Sequence, residues 1–220
     1  MSVDAIKLAS QYIPILELDE HEPFLPQAVG VTVLDQSAPS PSFRRQIKLD
    51  PKFTMLVIEF AIYWDYDIQH LYDLEHVWVY VGKDGSVTDC EASFHGKYFK
   101  GLLPDRSNVE GQRVKLYCQA GKHAFSPLKE IFPLIPNYST CTYEEAGEAG
   151  LIITAPFQGV IETSEQINSV VHSNLQRYRF RPSGRYSSYS IPEELLMSWE
   201  QLRQVIPTRI QEQLRLMESD

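Results

Sequence analysis

Tyr63-Trp-Asp-Tyr-Asp-Ile-Gln-His-Leu-Tyr-Asp-Leu-Glu-His76 is the stretch on which the reading turns. On its N-terminal side Thr54–Trp64 is almost wholly apolar, the pattern of a strand buried on both faces. On its C-terminal side Glu75–Gly82 alternates, the pattern of a strand with one face inward. Two such runs joined by a short polar segment predict a β-hairpin. Lys83-Asp-Gly85 then reads as a turn into a third strand, Val87–Phe94.

Further out, Gly30–Leu34, Arg45–Leu49, Val114–Cys118 and Leu151–Thr154 also read as strands. Ser37–Ser42, with two prolines, reads as a loop, Pro127–Pro136 as irregular, and Glu144–Glu148 as a solvated loop. Asp4–Tyr12 predicts a short helix, ended by Pro14 and the acidic stretch Glu17–Glu22. After Thr163 the period changes. Thr163 with Gln166 predicts a capping box, and Ile167, Val170, Val171 and Leu175 recur at helical spacing. A second helix is expected from Pro192, with Leu195, Leu196, Trp199, Leu202 and Ile206 on its apolar face and Pro207 breaking or restarting it. The expectation is a mainly β chain: a β-sandwich with peripheral and C-terminal helices. It forms one domain over 1–220, with a core of roughly residues 28–160 and helices mainly in 163–217.

The chain has 220 residues, 43% of them hydrophobic, enough for one well-buried core. A formal net charge of −9 repels phosphate backbones, so nucleic acid is not an expected partner. The three cysteines, Cys90, Cys118 and Cys141, are odd in number and widely spaced, so free thiols are expected rather than a disulfide framework or zinc pattern. The N-terminal residues show no basic region followed by an apolar run, and no stretch approaches the length of a membrane span. The expected location is the cytoplasm; the oligomeric state is not legible.

The chemistry lies in the opening stretch, which carries Asp65, Asp67, Asp73, Glu75, His70 and His76. Carboxylates so close repel one another unless a cation or proton offsets them. In a strand, residues two apart share a face, so Asp73 and Glu75 point the same way, with Val77, Val79 and Val81 continuing that face as core. His70 precedes them in a turn, and hairpin pairing brings Asp65 or Asp67 alongside. Such a set suits calcium, magnesium or manganese. His76 points the other way, beside Trp78 and Tyr80, as a structural histidine. His95, before Gly96, and His123, after Gly121, are placed to line the same cavity as ligands or as a general base. Tyr63, Trp64, Tyr66, Tyr72 and Tyr98 offer rings for stacking on a sugar. There is no Gly-x-Ser-x-Gly and no phosphate-binding glycine loop.

These residues resemble the necrosis- and ethylene-inducing-peptide-like proteins, and also the related vacuolar-protein-sorting family that shares an Asp-Trp-Glu-His element. The heptapeptide of the first, Gly-His-Arg-His-Asp-Trp-Glu, carries metal ligands on the pattern His-x-x-Asp-x-Glu, met here by His70, Asp73 and Glu75. The family's upstream aspartate is similar to Asp65 or Asp67. Its Ser-x-His-Gly-x-Tyr element is similar to Ser93-Phe-His-Gly-Lys-Tyr98. Gly121-Lys-His-Ala-Phe125 and Trp199–Pro207 resemble further elements of both families. Gln69, Tyr72 and Leu74 stand where the heptapeptide has glycine, its second histidine and tryptophan. The resemblance implies a β-sandwich with a divalent cation at its edge that recognises a sugar or polar lipid headgroup, the ligand pattern being kept and the full toxin heptapeptide not. Two other readings stand beside it: a metal-dependent hydrolase using His95 or His123 as base, and a non-catalytic interaction protein with a relic metal site.

Overall fold

The protein is described by a computed structural model covering residues 3–219. It opens with helix α1 (Val3–Ser10), then β1 (Ile15–Asp19), β2 (Ala28–Leu34), β3 (Ala38–Pro39) and β4 (Gln46–Ile47). The long central strands are β5 (Leu56–Tyr66) and β6 (His70–Val81), followed by β7 (Val87–Phe94) and β8 (Lys97–Lys100). Then come β9 (Val109–Glu110), β10 (Arg113–Cys118), β11 (Phe125–Ser126) and β12 (Gly150–Leu151). The C-terminal part holds α2 (Glu165–Leu175), β13 (Tyr186–Ser190), β14 (Leu196–Ser198) and α3 (Trp199–Ser219).

Two sheets carry the fold, and the chain is mainly β. One runs β11-β10-β1-β13 with β9 on β10; the other runs β14-β2-β5-β6-β7-β8 with β12 on β6. The alternate residues Val77, Val79 and Val81 of β6 meet Val114, Leu116 and Cys118 of β10 in one buried core. The opposite face of β6 packs Trp78 and Tyr80 under the β3–β4 hairpin, against Ile47. Helix α3 crosses β2 at Gly30, where a Cβ would lie 3.0 Å from Leu202 and 3.1 Å from Trp199.

β7 has the bounds its alternation predicts. Elsewhere the structure differs for physical reasons. The acidic stretch after Pro14 begins in β1, because its carboxylates find partners: Glu17 meets Lys115 and Asp19 accepts main-chain N–H groups of Ser183 and Gly184. The cap of α2 is Ser164, which accepts from Ile167 N, and not Thr163. The reciprocal capping box lies instead at the start of α3, where Ser198 Oγ accepts from Gln201 N and Gln201 Oε1 accepts from Ser198 N. The region after Pro192 is therefore a 3-10 turn (Glu193–Leu195) and a strand before the helix begins. α3 runs on through Pro207, held by buried Ile206 and Ile210 on either side. The 163–217 region thus mixes helices with two strands. All three cysteines are free and buried.

Candidate metal centre

The β5–β6 hairpin turns tightly at 67–70. Asp67 N donates to His70 O over 3.0 Å, and the Asp67 carboxylate accepts Gln69 N at 2.6 Å, an Asx turn built by the residue itself. Two loops pin this turn from outside. Ile68 N donates to Gly121 O, while Gly147 N and Ala149 N donate to Ile68 O and Gln69 O. Gly121 is required here: its φ is +70°, and a Cβ would lie 2.8 Å from Ile68.

The turn brings Asp67, His70 and Asp73 together, each offering a ligand atom within 4.8 Å of the others. His70 Nδ1 lies 2.8 Å from the Tyr72 carbonyl, which only accepts, so Nδ1 carries the proton. In the neutral ring Nε2 would then be a bare lone pair, and it lies 3.6 Å from Asp67 Oδ2. Locking one ring nitrogen on a main-chain carbonyl is how a metal-binding histidine has its tautomer set. Tyr72 presents that carbonyl from φ 51°, a conformation that costs energy in a bulky residue. His123 also has positive φ, at 55°.

Around the triad lies a charged shell. Lys122 Nζ donates to Asp67 Oδ1 at 2.7 Å. His123, fully buried, donates from Nδ1 to Asp73 Oδ2 at 3.1 Å and places Nε2 3.5 Å from Glu22 Oε1. Its ring stacks on Trp64, with centroids 4.4 Å apart. Burial alone lowers the pKa of His123, but the hydrogen bond to Asp73 and the nearby Glu22 carboxylate outweigh it and carry it up to about 10, so the ring is an imidazolium. Burial alone raises Asp67, but His70, Lys122 and His123 outweigh it and hold its carboxyl below the usual range. Glu75 goes the other way: burial first, then the neighbouring Asp73, push it up to about 8. Its carboxyl is bonded by the Ser93 hydroxyl, whose oxygen also accepts His76 N.

The cavity beside the triad has a volume of about 420 Å³, and Asp67, His70, Asp73, Glu75, His76 and His95 all face it. Phe43, Ile152, Ala155 and Pro156 supply its apolar wall. His95 sits at φ 49° in the two-residue turn His95-Gly96 between β7 and β8, where both positions need positive φ. Its Nε2 donates to Gln119 Oε1 at 2.7 Å.

The other singled-out residues lie apart from the cavity. Asp65 is clamped by Arg209, with contacts of 3.0 and 2.8 Å. Tyr63 is buried under the Arg209 guanidinium, 5.6 Å from its ring centroid. Trp64 lies beneath His123. Tyr72 is buried and bonds Thr154 through its hydroxyl. Tyr98 is 42% exposed and stacks over Arg45 at 3.7 Å. Lys122 and Glu22 are the site residues that sequence reading missed. Both come from other loops and carry no spacing signal; Lys122 stands next to His123, so only the direction of its side chain was hidden.

Carboxylate oxygens with one imidazole fit a hard divalent cation. Lys122 and His123 offset part of the negative charge, and Asp67 Oδ2 and His70 Nε2 are the atoms they leave over. Among the described residues no helix is long and apolar enough to cross a membrane.

No protein-family model matches the chain, and no curated protein matches it. Three solved structures do. One is Necrosis and Ethylene inducing Protein 2 from the causal agent of cocoa's witches' broom disease, at 22% identity over 54% of this chain, with a TM-score of 0.37. The aligned part is 66% of that protein's length, just short of two thirds. A second is NLPPya in complex with glucosamine, at 20% identity over 56% of this chain and 67% of the other, with a TM-score of 0.36. A third, a substituted form of NLPPya, aligns at 20% identity over 54% of this chain and 69% of the other, with a TM-score of 0.34. The first of these is a necrosis- and ethylene-inducing protein, the family that the sequence motifs resemble.

Proposed function

We propose that this protein is a divalent-cation-dependent binding module whose cavity takes a sugar or a polar headgroup. The observation that carries the reading is the His70 tautomer. In its neutral form the ring, with its Nδ1 proton committed to Tyr72, turns a bare Nε2 toward the Asp67 carboxylate. That arrangement is unfavourable until a cation or proton lies between. Asp67, His70 and Asp73 would hold the ion, with Glu75 beside them. The ion would supply Lewis-acid attraction for ligand oxygens. The apolar wall and the nearby polar groups would orient the ligand.

Melting curves test this. At about a hundredfold excess over its dissociation constant, calcium, magnesium or manganese adds roughly 2.7 kcal/mol to the chelator-treated protein. Asp73→Ala abolishes the gain. Glucosamine, the sugar bound by one structural neighbour, is the first ligand to titrate into the ion-loaded protein.

One observation favours the relic-site reading: the Lys122 ammonium already occupies Asp67 Oδ1. If Lys122 does the ion's work, no divalent cation raises the melting temperature.

A further inference from the structure

Between Leu71 and Val77 the outer edge of β6 has no partner strand: β12 pairs only with His70 and Leu71, and pairing with β7 starts at Val77. The cavity opens at this gap and meets groups from both faces of β6. Asp73 and Glu75 reach it from the core side, and His76 from the side of the β3–β4 hairpin. His76 is 2% exposed, and neither ring nitrogen has a hydrogen-bond partner. The Ser42 main chain lies close enough to favour a ring N–H, short of a well-formed hydrogen bond. The ring is held in place by stacking, 5.0 Å from Phe43 and 5.6 Å from Trp78.

Buried polar groups without partners are rare, and each calls for an explanation. A neutral imidazole has one donor and one acceptor, both unspent here. A purely structural ring in this slot could as well be phenylalanine, which stacks equally and leaves nothing unbonded. A hydroxyl, which donates and accepts, matches the imidazole.

We propose that His76 is a ligand-contacting residue, hydrogen-bonding a hydroxyl of a polyhydroxy ligand whose other oxygens face the Asp67–His70–Asp73 triad across the open edge of β6. The inference rests on the proposed cation-dependent reading and adds a specificity-determining residue to it. The ligand it selects presents hydroxyls at two separated points, and a small monodentate oxyanion satisfies only the triad.

Calorimetric titration with calcium, followed by glucosamine into the ion-loaded protein, tests the assignment in wild type, His76→Phe and His76→Gln. His76→Phe should bind calcium within about twofold of wild type but glucosamine about tenfold more weakly, the loss of one neutral hydrogen bond. His76→Gln, which keeps a donor and an acceptor, should recover part of that loss. Equal glucosamine affinity in wild type and His76→Phe overturns the inference, as does failure of the ion-loaded wild type to bind glucosamine. Ring-nitrogen NMR shifts of His76 in wild type need no variant: they should move on adding glucosamine, and their constancy overturns the inference. Failure of the metal reading is distinguished by the first titration, in which wild type takes up no ion; that result overturns both.

Discussion

His70 donates from Nδ1 to the carbonyl of Tyr72 over 2.8 Å, and Tyr72 holds φ at 51°. A bulky residue seldom adopts that conformation, and here it aims a main-chain oxygen at the ring two residues away. Strand alternation is broken at one residue to fix the ring two residues before it, and the ring's other nitrogen lies 3.6 Å from Asp67 Oδ2.

Asp65 and Asp67 are equivalent by sequence and differ in structure. Asp65 pairs with Arg209, and Asp67 belongs to the triad. Asp67→Asn should abolish the ion-dependent rise in melting temperature. Asp65→Asn should leave that rise intact and weaken the clamp on Arg209, at a cost of about 1–3 kcal/mol for a charged hydrogen bond lost. Melting curves with and without ion separate the two.

Gly121→Ala tests the pin that holds the turn. A Cβ at φ +70° would lie 2.8 Å from Ile68. Strain and overpacking together should cost about 2–3 kcal/mol, measured by urea unfolding. The displaced turn should also weaken ion binding, whereas Gly111→Ala, where φ is +62° and no atom lies within 4 Å, should leave ion binding unchanged.

Stability of the ion-free protein should fall on the alkaline side. His123 has a folded pKa of about 10 against 6.5 unfolded, so its contribution is complete below 6.5 and is lost as pH rises toward 10. Glu75, at about 8 against 4.5, holds a proton in the folded state that the unfolded chain releases, which also lowers stability as pH rises from 4.5 to 8. Each contributes at most roughly 1.4 kcal/mol per pH unit within its window. Glu75→Gln should flatten the lower window and leave the upper one, in unfolding measured from pH 5 to 10.

His76 should govern part of the acid limb. Burial is the main cause that takes its pKa down to about 3. The unfolded chain then binds a proton below 6.5 that the folded one refuses, so stability falls between pH 6.5 and 3. In His76→Phe that part of the acid slope should disappear, while stability near pH 8 should rise or hold, since the ring nitrogens it removes are unbonded.

Much of the architecture was legible because it is periodic. Val87–Phe94 alternates, and Leu56–Tyr66 is mostly apolar and buried on both faces, so local pattern and tertiary burial agree. The His70–Asp73 spacing was legible for the same reason, as one turn and one strand hold both. β6 begins at His70, five residues before its alternation does, since Tyr72 leaves the extended conformation there. β1 was hidden because the partners of its carboxylates lie about a hundred or more residues away in the chain. Lys122 and Glu22 were hidden likewise: a counter-charge delivered by loop docking leaves no mark in local spacing. Carboxylates crowded in one stretch call for a cation, and the fold already supplies two, Lys122 and His123, before any metal is considered.

The most direct measurement is a crystal structure of the protein with manganese, with the ion located by anomalous scattering. A single strong peak should lie within about 2.6 Å of Asp67 Oδ2, His70 Nε2 and an Asp73 carboxylate oxygen. A protein saturated with manganese that shows no peak there, with Lys122 still seated on Asp67, would contradict it.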